Sequence, residues 1–350
     1  MQQRSFFHHA AAAAIAVGFL ASFPAAAGPF GSLVVFGDSL SDSGNNAEAG
    51  LYDPAQIITG NGYVPSSTYG PKTYSNGPVW ASDFASMLGL SLTPSSLLGT
   101  NYAYGGATTS TPGPFDGPLG AGFPYSLAAQ AGQYLMATGG LAFSDALYVV
   151  AGGGNDARAA LTAAAVPGAD VPSIFAATAM SFASTVGDIV DELQLAGAEH
   201  ILVWNTPNLG TTPAVASAGF GAFGSFLASA MNDALGARLA GESGVSVFDI
   251  FGFGTAVAAD PAAFGFTNAT DACGAVAGAD CSGYLYWDGI HPTAAAHLAI
   301  ADAVYSVAVP VPEPETWALM AGGLALLAAG ARRRRGRYQP AGALPPPSRS

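Results

Sequence analysis

The chain has 350 residues, half of them hydrophobic and only 9% charged, and its 10 Lys and Arg against 23 Asp and Glu give a formal net charge of −13. Between residues 28 and 311 the only basic side chains are Lys72, Arg158 and Arg238. So acidic a surface repels phosphate backbones and anionic membranes, which excludes a nucleic-acid partner.

Residues 1–27 carry Arg4, an alanine-rich apolar run from Ala10 to Leu20, and Ala25-Ala26-Ala27 ahead of Gly28. That is the layout of a secretory signal with a small-residue cleavage site. A transmembrane helix would need about 20 apolar residues and does not account for the alanine ending. The next apolar run, Leu33–Phe36, reads as a short buried strand broken by Gly37. Ser39 follows, just past a strand end, where parallel α/β sheets hold their chemistry. A calcium loop starting at Asp38 would want an acid third, glycine sixth and glutamate twelfth, but the chain has Leu40, Ser43 and Ala49 there. Taken alone, the loop is either a plain turn or the seat of a nucleophile.

Residues 50–78 and 105–125, dense in Gly, Pro, Ser, Thr and Tyr, read as long loops able to roof a pocket. Further strands are expected at Ala146–Ala151, Ile201–Trp204 and Val245–Ile250. Phe182, Val186, Ile189, Val190 and Leu193 recur at helical spacing, and Gly197 closes that helix. Another helix is expected from Phe226 to Leu239, and a last one from Pro292 to Val309 with proline in its first turn. Strands alternating with helices imply a mostly parallel sheet with helices on both faces. Cys273 and Cys281, eight apart in a chain carrying an export signal, are expected to form a local disulfide.

Beyond this body, Val311-Pro312-Glu313-Pro314 precedes an apolar stretch, Trp317–Ala331, and then Arg332–Arg335. An apolar helix of marginal length followed by arginines fits an inner-membrane stop with its basic end cytoplasmic. The three features in order resemble the PEP-CTERM sorting signal of Gram-negative bacteria. That resemblance implies export machinery and a C-terminal sorting protease as partners. It also implies a cell-surface or extracellular destination, with residues 316–331 as a transient inner-membrane anchor. The expected organisation is a signal peptide (1–27), a globular domain (28–310), a sorting segment (311–335) and a disordered tail (336–350).

Serine hydrolysis needs a nucleophile, a base for its proton, a group orienting the base, and donors for the oxyanion. Histidine is the natural base, and residues 28–311 hold His200, His291 and His297. His200 opens a strand and reads as a surface or edge residue, whereas His297 falls inside the last helix and reads as packed or solvated. His291 stands in YWDGIHPT with Asp288 three residues before it, so the two side chains can meet on one tight turn.

With FGDSLSDSGNN, NYAYGGATT, GGGNDA and DGIHPT in order, the chain resembles the GDSL-type (SGNH) esterase/lipase family across nearly all of residues 32–308. YSNGPVW, NTPNLGTTP and the cysteine pair before YLYWDG resemble the same family. The resemblance implies a flavodoxin-like three-layer α/β sandwich with a mostly parallel sheet of about five strands. It implies Ser39 as nucleophile, His291 as general base and Asp288 as its orienting acid. The oxyanion donors would be the Ser39 and Gly106 N–H groups and the Asn155 amide, with no metal or other cofactor required. Asp42, Asn45 and Asn46 are expected to order the nucleophile turn through bonds to the backbone. No G-x-S-x-G elbow occurs, and no dinucleotide or P-loop fingerprint opens the chain. The expected activity is hydrolysis of carboxylic esters, with an acyl ester or an acetylated glycan as substrate. An acyltransferase on surface polysaccharide and a catalytically idle matrix-binding protein are the alternatives.

Overall fold

A computed structural model describes residues 28–115, 120–309 and 322–327. The expected signal peptide and disordered tail lie outside the described residues. So does the expected sorting segment apart from 322–327, which is helical with exposed side chains.

Four strands, β1 (Ser32–Gly37), β2 (Ala146–Ala151), β3 (His200–Trp204) and β4 (Val245–Phe248), make one parallel sheet in that order. Their side chains alternate between two faces, as a pleated strand requires. Val34, Phe36, Tyr148, Val150, Ile201 and Val203 enter one core, and Leu33, Val35, Leu147, Val149, Leu202 and Trp204 enter the other. Burial on both faces explains why the inner strands are continuously apolar in sequence.

Between residues 28 and 309 the α-helices are α1 (Asn45–Glu48), α2 (Trp80–Met87), α3 (Leu127–Ala137), α4 (Gly154–Ala164), α5 (Val171–Ala196), α6 (Pro213–Ser217), α7 (Gly221–Arg238), α8 (Ile250–Ala259) and α9 (Ala294–Ala308). Helices α3, α4, α5 and α7 cover the first face, and α2 and α9 the second, which makes a three-layer sandwich. Helix α5 is apolar and long enough to span a bilayer by length and composition, yet Phe175, Phe182, Val186, Ile189, Val190 and Leu193 pack into the core. Gly197 caps it in the left-handed conformation at φ 113°. A small separate parallel pair, β5 (Asn268–Ala272) and β6 (Tyr284–Tyr286), lies after α8.

The sheet has four strands where about five were expected. The fifth position is taken by residues 100–104, which pair along the free edge of β1 without qualifying as a strand. Val35 N–H donates to Thr100 O at 3.0 Å, Tyr102 N–H to Val35 O at 2.8 Å and Tyr104 N–H to Gly37 O at 3.1 Å. Three helix-strand boundaries also differ from the sequence expectation. Strand β4 stops at Phe248 because Asp249 accepts from Gly252 N–H at 2.8 Å and starts α8 there. Helix α9 starts at Ala294, after Thr293 caps it by accepting from Ala296 N–H at 3.1 Å, so Pro292 precedes the helix. Helix α7 begins at Gly221, one and a half turns before the expected start.

His297 is 1% exposed and its Nδ1 accepts from Trp80 N–H at 3.2 Å, satisfying an orphan donor at the start of α2. An acceptor nitrogen requires neutral imidazole, and burial, with His291 nearby, pushes its pKa down from 6.5 to about 3. The unfolded chain therefore takes up this proton as pH falls below 6.5 while the folded one does not. The stability contribution is complete above pH 6.5 and drains away toward pH 3. Urea unfolding at pH 7 and pH 4.5 should show the gap in stability between the parent and His297→Gln narrowing at the lower pH. A gap independent of pH would contradict the assignment.

Candidate active site

Strand β1 delivers the chain to Ser39. Its last residue, Gly37, is held by Gln130 on α3, whose Oε1 accepts from Gly37 N–H at 2.8 Å and whose Nε2 donates to Gly37 O at 2.9 Å. The chain leaves β1 toward residues 100–104 on one side, while β2 lies on the other. The carboxyl ends of β1 and β2 thus border the crevice at a topological switch point, where open α/β sheets bind ligands.

The turn after Ser39 is tied by buried Asp42. Its Oδ1 accepts from Gly44 N–H at 2.8 Å and Asn45 N–H at 2.7 Å, and its Oδ2 from Asn46 N–H at 3.2 Å and Gly105 N–H at 3.1 Å. Burial pushes the Asp42 carboxyl up to about 6 against the pull of these amides. Asn45 Nδ2 donates to Asn101 O and Ala103 O, and Asn46 Nδ2 to Gly105 O and the Tyr74 hydroxyl. These bonds fasten the Ser39 turn to the Gly105–Gly106 turn. The side-chain-to-backbone role read from the sequence for these three residues is the one observed.

From the opposite end of the chain, the segment after β6 brings His291 to Ser39. His291 Nε2 lies 2.8 Å from Ser39 Oγ, and His291 Nδ1 lies 2.8 Å from Asp288 Oδ2. Asp288 Oδ1 accepts from His291 N–H at 2.8 Å and Ile290 N–H at 2.9 Å, which folds Asp288–His291 into one tight turn. Asp288 is fully buried, His291 is 3% exposed and Ser39 9%. An unbroken line from a hydroxyl through an imidazole to a buried carboxylate can move a proton off the hydroxyl and hold the resulting imidazolium.

Two side chains that touch this line were not read from the sequence. Tyr69 donates its hydroxyl to Asp288 Oδ2 at 2.8 Å, and burial followed by Asp288 keeps that phenol strongly protonated. Tyr74 stands beside His291, with ring centroids 5.3 Å apart. Both come from the 50–78 loop, whose length and composition were the available signal. The loop is further anchored where Ser75 Oγ donates to Pro292 O at 2.8 Å and Gly289 N–H to Tyr63 O at 2.8 Å.

Gly106, on a loop, and Asn155, on α4, line the same cavity as Ser39. Gly106 takes φ +84°, a conformation open to glycine at little cost. Asn155 sits in the first turn of α4, entered through Gly153 at φ +100°, where a Cβ would come within 2.6 Å of Thr206 Oγ1 and 2.7 Å of the Phe182 ring. One amide hydrogen of Asn155 is used on Ala107 O at 2.8 Å. Asp156 clasps the same loop, accepting from the Thr109 hydroxyl at 2.8 Å and from Thr109 N–H. Among the described residues, no acceptor is paired with the N–H of Ser39 or of Gly106.

Two cavities open on either side of Ser39. One, of about 110 Å³, is walled by Leu40, Leu209, Val215, Phe253 and Leu285. The other, of about 410 Å³, is walled by Leu51, Ser66, Tyr74, Gly106, Phe115 and Pro124. Ser39, Asn155, Arg158, Ile290 and His291 border both. Away from them, His200 is exposed at the start of β3 with its ring edge-on to Phe30. Cys273 and Cys281 are disulfide-bonded with Cα atoms 5.7 Å apart, in the segment between β5 and β6.

Comparison with known proteins gives this geometry a family. Residues 310–335 match the PEP-CTERM protein-sorting motif. A protein of the trpE-trpG intergenic region of Pseudomonas putida, described as uncharacterized, is 30% identical over 81% of this chain and 49% of its own length. "Lipase 1" of Photorhabdus luminescens is 33% identical over 53% of this chain and 24% of its own length. The chain therefore spans half or less of the curated relatives it matches. Residues 33–304, which run from the first strand of the sheet into its last helix and take in Ser39, Gly106, Asn155, Asp288 and His291, match the GDSL-like lipase/acylhydrolase family, and the chain belongs to that family.

Proposed function

We propose that the chain is an exported serine esterase or lipase that hydrolyses carboxylic esters through an acyl-enzyme on Ser39. The observation carrying this reading is the line Ser39 Oγ–His291–Asp288, with both links at 2.8 Å, at a cavity that Gly106 also lines, the N–H groups of Ser39 and Gly106 having no acceptor among the described residues. His291 Nε2 takes the Ser39 proton as Oγ bonds to the ester carbonyl carbon. The oxyanion is held by the N–H groups of Ser39 and Gly106 and by the second amide hydrogen of Asn155. As the tetrahedral intermediate collapses, the C–O bond to the alcohol breaks and His291 returns the proton to the leaving oxygen. Water, deprotonated by the same imidazole, then releases the acid and restores Ser39.

Residues 28–310 form the catalytic domain in this proposal. Residues 1–27 direct export, and 311–335 serve sorting to the cell surface, with 316–331 as transient anchor. The apolar cavity receives the acyl chain, and the wider, tyrosine-bordered cavity receives the alcohol. Hydrolysis of p-nitrophenyl esters from acetyl to palmitoyl tests the reading. Release of p-nitrophenol that requires Ser39 supports it, and a folded protein inert on the whole series counts against it. Val215→Trp, which fills part of the apolar cavity, should cut kcat/KM for the octanoyl ester relative to the acetyl ester by about tenfold or more, since each excluded methylene is worth about 1–3 kcal/mol. An unaltered chain-length profile would move the acyl group out of that cavity.

A further inference from the structure

Of the three basic residues between 28 and 309, two are paired on the surface: Lys72 with Glu48, and Arg238 with Asp191 and Glu242. Arg158 is different. It is partly buried on α4, one turn after Asn155 and so on the same helical face. It borders both cavities beside Ser39 and His291. Among the described residues no carboxylate lies within 4 Å of its guanidinium, although Asp38 and Asp288 act on it through space. A guanidinium drawn from water without a direct partner is costly unless something else supplies one. In so acidic a chain, Arg158, the one Lys or Arg among the described residues that borders both cavities, acts against the repulsion an anionic substrate would otherwise meet.

We propose that Arg158 is a specificity-determining residue that binds an anionic oxygen group, carboxylate or phosphate, carried by the ester close to its scissile bond. This rests on the esterase reading and narrows it to a substrate class. The planar fork of five donors suits either anion, and bonds of this kind are roughly twice as strong as neutral ones. From its place on α4, Arg158 would draw the anion to the side of Ser39 where Asn155 waits, and so would orient the carbonyl as well as bind it.

The test uses matched esters and the full chain. Mono-p-nitrophenyl succinate beside p-nitrophenyl butyrate compares a terminal carboxylate with a methyl group. Dihexanoylglycerol 3-phosphate beside dihexanoylglycerol does the same for phosphate. Arg158→Gln should lower the anionic-to-neutral ratio of kcat/KM about tenfold or more for at least one pair. Arg158→Lys should keep part of that ratio, and added salt should erode it in the parent far more than in Arg158→Gln. The pair that responds identifies the anion. Ratios equal within twofold in parent and Arg158→Gln for both pairs would overturn the proposal and leave Arg158 as a counter-charge to Asp38. A second readout does not depend on turnover. Calorimetric titration with monomethyl succinate and with monomethyl phosphate should show at least one of them binding the parent and Arg158→Lys, and binding Arg158→Gln much more weakly. Equal binding of both probes to all three proteins would overturn the proposal even in a protein that hydrolysed nothing, whereas inactivity with Arg158-dependent binding would count against the esterase reading alone.

Discussion

Replacing Ser39 by alanine is expected to lower kcat for ester hydrolysis by on the order of 10⁴- to 10⁶-fold without unfolding the protein. The hydroxyl removed makes one hydrogen bond, to His291 Nε2. The turn that carries it is held by Asp42, Asn45 and Asn46 instead. A melting temperature near that of the parent should therefore accompany the loss. His291→Ala should cost a comparable factor, and the double variant should be about as inactive as either single one, because residues acting as a unit do not lose activity additively. Single-turnover and steady-state assays of the three variants check this. Losses that multiply in the double variant would mean that Ser39 and His291 act separately.

Asn155→Ala carries the second largest expected effect, a fall of about 10²–10³ in kcat, or roughly 3–4 kcal/mol of transition-state stabilisation. KM should change little, since the amide is called upon fully only when the carbonyl oxygen becomes an oxyanion. Asn155 also bonds Ala107 O, so the substitution loosens one tie of the Gly106 loop. The clasp of Asp156 on Thr109 remains and should hold the loop in register, so a parent-like melting temperature is expected here too. A rise in KM at unchanged kcat would instead place Asn155 in ground-state binding.

Much of this architecture can be read along the chain because its local and tertiary preferences agree. Strand β2 is a run of apolar residues sealed on both faces, so periodicity, composition and burial point the same way. Helix α5 shows its buried face at three- and four-residue spacing and stops at a glycine that only a left-handed cap demands. Boundaries were lost where one polar side chain decides. Val245–Ile250 is a plausible strand until Asp249 is seen accepting from Gly252 N–H. The start of α9 likewise depends on Thr293 rather than on Pro292. The edge at residues 100–104 contains two tyrosines and an asparagine and pairs through three backbone bonds only, too weak a pattern to register as a strand.

The candidate site was legible to the extent that its residues sit in short, dense motifs. FGDSLSDSGNN displays Ser39 together with the side chains that tie its turn, and DGIHPT displays Asp288 and His291 on a turn of their own. Tyr69 was invisible for a physical reason. It reaches Asp288 across a separation of 219 residues, and nothing in its neighbours' composition encodes that approach. Along the sequence Arg158 stands out only as a scarce charge. Its place between the two cavities follows from the pitch of α4 counted from Asn155, and so depends on where that helix starts.

The most direct measurement is the mass of the full chain after reaction with an alkyl p-nitrophenyl phosphonate, whose tetrahedral phosphorus is captured by an activated serine and stays bound. The expected result is a single phosphonyl group per chain, found on the peptide containing Ser39. It should be absent in Ser39→Ala and formed far more slowly in His291→Ala. Continued ester turnover with Ser39 unmodified, or with the group on another residue, would contradict the account.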